Sequence, residues 1–179
     1  MRRTLADPAG DALVEPAYVD RMMADVVARF PVDRDRVMAS GMSAGGMLVW
    51  YLACYQPDNF AGFAPVSGTF WHALPADCRP PPAWLRHIHG TRDPVVPLEG
   101  RFLRGGTIRQ GNVFQAVAMF AAAAHFGPPR RETQEGLDCT IRDNPEGRRL
   151  MLCLHDGEHD LSLIHISEPT RLRRISYAV

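Results

Sequence analysis

Lysine is absent from this 179-residue sequence: all 20 cationic side chains are arginine, and they balance 20 acidic ones to a formal net charge of zero. That balance leaves no basic footprint for nucleic acid or for an anionic membrane surface. No apolar run reaches the ~18 residues that a membrane-crossing helix requires. There is no N-x-S/T triplet, hence no acceptor for N-glycosylation. Four cysteines are too few for a disulfide-dense scaffold. What is present is a chain 46% hydrophobic, too apolar to remain disordered and long enough to bury a core.

Serine and isoleucine are scarce in an uneven way. Residues 1–160 hold three serines (Ser40, Ser43, Ser67) and three isoleucines (Ile88, Ile108, Ile141), whereas the final nineteen residues hold three more of each. Such a shift without a linker points to a different origin for the tail. The string LSLIHISEPTR resembles a translated transposase adapter from short-read library preparation, and the ending ISYAV resembles the other end of the same adapter. Residues 161–179, His165 and Ser167 among them, are therefore set apart as a non-native tail. At the other end, Met1-Arg2-Arg3 is followed by Thr4-Leu5-Ala6-Asp7-Pro8, which is not the apolar stretch of a signal peptide.

Between these ends, residues 16–30 carry Val19, Met22, Met23, Val26, Val27 and Phe30 on one helical stripe, opened by Pro16 and closed by Pro31. A strand over residues 36–40 leads into a tight turn, and Met47 to Tyr55 is apolar nearly all round, as in a buried helix. Strands are expected over residues 60–66 and 84–89. A helix is expected over residues 112–126, with Asn112 as N-cap and Gly127-Pro128 as its stop. Residues 139–142 and 149–154 read as a hairpin around Asn144-Pro145-Glu146-Gly147. Strands alternating with helices give an α/β class with a mostly parallel sheet.

Chemistry concentrates at three places. Gly41-Met42-Ser43-Ala44-Gly45 fits the G-x-S-x-G nucleophile elbow, with a strand before it and a helix after it. Small neighbours at −2 and +2 would let the backbones pass closely, and the Ala44 N–H at the helix start would face a developing oxyanion. A nucleophilic serine needs a base, and the base an orienting acid. His89-Gly90-Thr91-Arg92-Asp93-Pro94 follows a strand and places Asp93 at its carboxyl end, although an Asp before Pro is most often a turn former. His155-Asp156-Gly157-Glu158-His159 follows the last strand and supplies His159. Asp156 and Asp160 rival Asp93 only through nearness in sequence.

These segments, together with Val32-Asp33-Arg34-Asp35-Arg36-Val37 and Tyr55-Gln56-Pro57-Asp58-Asn59-Phe60-Ala61, resemble the polyhydroxybutyrate depolymerase and feruloyl or acetylxylan esterase group of α/β-hydrolases. The resemblance covers residues 16–160. It implies Ser43 as nucleophile, Asp93 as acid and His159 as base, with a polyester or plant cell-wall ester as substrate, no cofactor, no metal and an extracellular location. Two departures stand out. Glu158 occupies the place of the second glycine before the histidine, and nothing before Tyr18 resembles the group's early strands or its second oxyanion donor. Residues 1–160 are thus expected to be the carboxyl-terminal portion of one hydrolase domain. Expressed as written, the chain is expected to fold poorly and to be inactive, with uncovered sheet edges.

Other assignments follow from placement alone. Phe70 and Trp71 are candidates for an apolar acyl pocket, though aromatics after a strand are more often core. Cys139 and Cys153 sit on the two hairpin strands and are candidates for a bridge. Cys54 reads as a buried free thiol, and Cys78 has no assignment. His87 and His89 share one strand face and read as core histidines. Two competing functions remain: a hydrolase-like binding protein without turnover, and a zinc peptidase built on His155 and His159 of the H-x-x-E-H string. The sequence does not specify an oligomeric state.

Overall fold

A computed structural model describes residues 14–160; the expectations for residues 161–179 and for the first thirteen residues lie outside the described residues. Eight strands and three α-helices are found: α1 (Val14–Arg29), β1 (Met38–Met42), α2 (Ala44–Tyr55), β2 (Gly62–Val66), β3 (Trp84–Gly90), β4 (Phe102–Leu103), β5 (Ile108–Arg109), α3 (Val113–Ala123), β6 (Arg130–Gln134), β7 (Leu137–Asp143) and β8 (Arg149–His155). Six strands form one sheet in the order β1-β2-β3-β8-β7-β6. The first four run parallel, and β7 and β6 continue as an antiparallel hairpin pair. The expected mostly parallel α/β sheet is therefore present.

The core lies between this sheet and its helices. α2 is apolar around its whole circumference and buries eight residues, including Trp50, Tyr51 and Leu52. Trp50, Phe63, Phe70 and Phe120 are fully buried. The Trp50 ring lies 5.4 Å from both Phe70 and Phe120, and Tyr51 meets Phe70 edge-on at 4.9 Å, the geometry that aromatic quadrupoles favour. α1 is held more lightly. Of its expected stripe only Val19 is buried, while Met22 and the following Phe30 are exposed. Its main tether is polar: Asn59 and Gln56 both donate to the Asp20 carboxylate, at 2.8 and 2.6 Å.

Several boundaries differ from the sequence reading. α3 starts where Asn112 caps it, its side chain accepting from the Gln115 N–H at 3.0 Å, but it stops at Ala123, three residues early. His125 turns left-handed (φ 50°) before Gly127 is reached. The strand β6, Arg-Arg-Glu-Thr-Gln, has no hydrophobic alternation and was not anticipated. It is an edge strand whose exposed charges guard the sheet from further pairing, and Glu135-Gly136, both at positive φ, make its tight turn into β7. At the opposite edge, β1 pairs only with β2 among the described residues.

Cysteine pairing corrects one assignment. Cys139 and Cys153 stand directly opposite on β7 and β8 and form a disulfide. Cys54 is not a free thiol: it is bonded to Cys78, tying the last turn of α2 to the proline-rich loop before β3. Burial alone does not distinguish a thiol from half a disulfide, since both are apolar, and the partner is 24 residues away in irregular chain.

Candidate active site

Because β1, β2, β3 and β8 are parallel, their carboxyl ends share one edge of the sheet. Ser43 follows β1 there, Asp93 lies in the loop after β3, and His159 lies in the loop after β8. Crevices at this edge are where open α/β sheets collect functional groups.

Ser43 sits at φ 56° and ψ −120°, a conformation that L-residues adopt only when the surroundings enforce it. The enforcement is visible. The Ser43 N–H donates to the Val66 carbonyl at 2.9 Å, and its own carbonyl accepts from the Met47 N–H at 2.9 Å as the first bond of α2. A Cβ on Gly41 would lie 2.6 Å from the Gly45 backbone, and one on Gly46 would lie 2.4 Å from the Val66 carbonyl oxygen. Gly68 is pinned likewise, 2.3 Å from the Ser43 carbonyl oxygen. The required glycines are therefore at −2 and +3. The glycine at +2, Gly45, has open space where its Cβ would be. We expect Gly45→Ala to keep the parent's melting temperature within about 2 °C and Gly46→Ala to lower it by more than about 5 °C, the shift that a steric clash of 1–3 kcal/mol produces. Equal melting temperatures for the two variants would show that the turn does not press on β2.

Asp93 is fully enclosed at its carboxylate. Its Oδ1 accepts from the backbone N–H groups of Val95 and Val96, both at 2.8 Å. Its Oδ2 accepts from His159 Nδ1 at 2.7 Å. Desolvation alone would raise this carboxyl group's pKa, but the Val96, His159 and Val95 hydrogen bonds outweigh it and hold the pKa below the usual aspartate value. The Asp before Pro is thus both a turn former and the histidine's partner. Asp156 and Asp160, the sequence rivals, are exposed.

The loops bearing Asp93 and His159 are knitted together. Thr91 N–H donates to the His155 carbonyl at 2.8 Å, Arg92 N–H donates to the Gly157 carbonyl at 3.0 Å, and the Arg92 side chain reaches the Asp156 carbonyl. Gly90 lets this happen: a Cβ there would lie 2.2 Å from the Glu158 carbonyl oxygen. Glu158 itself is exposed and does not have positive φ, so the loop accommodates a side chain where the resembling group has glycine. No hydrogen bond joins His159 to Ser43 Oγ among the described residues. The pair share the sheet edge without being coupled, as is common before substrate is bound.

The remaining candidates fall elsewhere. Ala44, exposed, opens α2 with its N–H outside the helical ladder. Phe70 is fully buried and Trp71 nearly so, both packed in the aromatic core. His155 ends β8 and accepts from the Gly157 N–H at 3.1 Å. With His155 on a strand and His159 in a loop bonded to Asp93, the H-x-x-E-H string lacks the helix that would present both imidazoles on one face. A cavity bordered by Thr91, Arg131, Thr133, Asp138 and His155 lies along β6–β8 and includes neither Ser43 nor His159.

No protein-family model matches the chain. It is 41% identical over 95 residues to NocK of Nocardia uniformis subsp. tsuyamanensis, an esterase by name, covering 52% of this chain and 26% of that one. It is 29% identical over 147 residues to feruloyl esterase C of Emericella nidulans, covering 80% and 49%. It is also 29% identical over 110 residues to the bifunctional acetylxylan esterase/xylanase XynS20E of Neocallimastix patriciarum, covering 52% and 16%. The chain thus spans about half or less of the length of these curated relatives. Among solved structures, the acetyl xylan esterase from Aspergillus awamori superposes with a TM-score of 0.54 at 11% identity, over 80% of this chain and 61% of that one. The fold of the described residues is similar to that of an acetyl xylan esterase, and the sequence is similar to proteins named as esterases.

Proposed function

We propose that this chain is part of a serine carboxylic-ester hydrolase of the α/β-hydrolase fold, working by acyl transfer through Ser43, His159 and Asp93. The observation that carries the reading is the 2.7 Å bond between His159 Nδ1 and the enclosed Asp93 carboxylate, at the same sheet edge as a serine held in a strained turn. Asp93 fixes the His159 tautomer with the proton on Nδ1, which leaves Nε2 as a base. His159 then takes the Ser43 proton as Oγ attacks the ester carbonyl. The Ala44 N–H faces the negative oxygen of the tetrahedral intermediate, and Asp93 stabilises the imidazolium. Collapse releases the alcohol, protonated by His159, and leaves an acyl-Ser43 ester that water opens by the same steps reversed.

The relatives favour feruloyl or acetyl esters of plant cell-wall polymers, and polyhydroxybutyrate is a further substrate class that the same chemistry serves. Two disulfides within the described residues support an oxidising, extracellular location. The test is covalent labelling. In a full-length enzyme that contains this segment, a fluorophosphonate probe is expected to modify a peptide containing Ser43, with release of ferulate or acetate from model esters. A chain with intact near-UV dichroism that takes up no probe overturns the assignment.

A further inference from the structure

Beside Asp93 lies a line of polar groups that the mechanism does not use. Trp50 Nε1 is 3.3 Å from His87 Nδ1, His87 Nε2 is 2.9 Å from His89 Nδ1, and His89 Nε2 is 2.7 Å from the Val96 carbonyl oxygen and 3.3 Å from Asp93 Oδ2. All three side chains are buried, the two imidazoles completely. An apolar strand face would serve the core at least as well, because buried polar rings cost free energy unless each is satisfied.

The direction of this line is set at one end. An indole N–H can only donate, so His87 Nδ1 must accept and its proton sits on Nε2. That N–H donates to His89 Nδ1, which places the His89 proton on Nε2, facing the Val96 carbonyl and the carboxylate together. Each link sets the next, and the last N–H goes to the Val96 carbonyl at 2.7 Å, on the turn whose N–H holds Asp93 Oδ1, with Asp93 Oδ2 at 3.3 Å. We propose that Trp50, His87 and His89 form a directed hydrogen-bond relay that positions Asp93 from below and thereby positions His159. These are positioning residues: none touches the reacting atoms. The proposal rests on the ester-hydrolase reading for its purpose, though not for its geometry.

Supporting physics runs the same way. Desolvation is the main cause holding both His87 and His89 below the ordinary histidine pKa, so both rings stay neutral at pH 7 and the relay carries dipoles rather than charge. The groups facing His89 are Asp93 and the Val96 carbonyl, which favour a proton there, and His159 and His155, which oppose it; His87 meets His89 and the Pro65 carbonyl. If the His89 N–H is removed, the Val96 carbonyl loses its donor and the turn whose N–H groups hold Asp93 Oδ1 loosens. The carboxylate that seats His159 is then less firmly placed, and kcat falls with it.

The experiment is imidazole 15N NMR of the full chain from pH 5 to 8, with turnover profiles alongside. In the parent, His87 and His89 are expected as neutral Nε2–H tautomers that do not titrate near 6.5. In His89→Leu kcat is expected to fall about tenfold at unchanged KM, the upper end of one hydrogen bond's net worth. His89→Gln, which retains an N–H, should recover part of the loss. Trp50→Phe should lower kcat by less and release His87 from its Nε2–H tautomer, and it supplies the readout if His89→Leu does not fold. An Nδ1–H tautomer at His87 or His89 in the parent overturns the relay, as does an unchanged kcat in the folded His89→Leu variant. A full-length parent without ester turnover would overturn the functional reading and leave the tautomer readout intact. Normal turnover with an Nδ1–H tautomer does the reverse.

Discussion

In a full-length enzyme that contains this segment, Ser43→Ala is expected to lower ester turnover by about 10⁴- to 10⁶-fold, the range found when a triad nucleophile is removed while the rest of the site remains. Stability should not fall with it. The Ser43 side chain makes no hydrogen bond among the described residues, and the strained backbone is enforced by Gly41, Gly46, Gly68 and the Val66 carbonyl rather than by Oγ. The measurement pairs kcat for a chromogenic acetyl ester with a thermal melt. Loss of activity at an unchanged melting temperature assigns the hydroxyl to chemistry. Residual turnover above about a hundredth of the parent's would remove Ser43 from that role.

Asp93→Asn should be nearly as severe in rate and, unlike Ser43→Ala, costly to the fold. The two backbone N–H groups of Val95 and Val96 hold whichever atom occupies Oδ1, so the amide oxygen takes that place and the amide nitrogen faces His159. A donor there demands the opposite tautomer, with Nδ1 accepting and the proton on Nε2, where it blocks the base. A loss of about 10⁴-fold in kcat is the expected scale of a wrong tautomer. The same NH2 also meets the His89 N–H, donor against donor, and the relay cannot reverse because the indole at its far end cannot accept. One buried conflict of this kind costs about 1–3 kcal/mol. There is a pH signature too. The Asp93 pKa is depressed by folding, so its contribution is complete above the unfolded aspartate value and disappears as pH falls through the lower folded one. Asp93→Asn should therefore flatten the acid side of the stability curve below about pH 4. A melt that retains the parent's acid slope would show that some other carboxylate carries it.

The sequence was most informative where local rules and global fold agree. The apolar circumference of Met47–Tyr55, the Asn112 cap and the Asn144–Gly147 turn all mark their elements correctly, because each is a short-range device. β6 was illegible for the complementary reason: Arg130–Gln134 is a strand only through pairing with β7, and nothing in five polar residues records that partner. Asp93 and His159 could be anticipated through strand-end placement and family resemblance, but their 2.7 Å contact spans 66 residues. His87 and His89 looked like ordinary core histidines. Spacing put them on one face, yet it carried no sign that a tryptophan 37 residues earlier, two turns into a helix, would set the polarity of both. Phe70 and Trp71 are buried, as aromatics after a strand most often are.

The helix α2 begins immediately after Ser43, carries Trp50 near its middle, and is clamped at Cys54 near its end. The proposed nucleophile and acid are thus both positioned from a single rod about 18 Å long. A shift of that rod displaces the serine and, through His87 and His89, the seat of the carboxylate together. Placement errors at the two ends of the proposed triad are therefore correlated, and the site is more tolerant of a moving helix than of a slip between helix and strand β3.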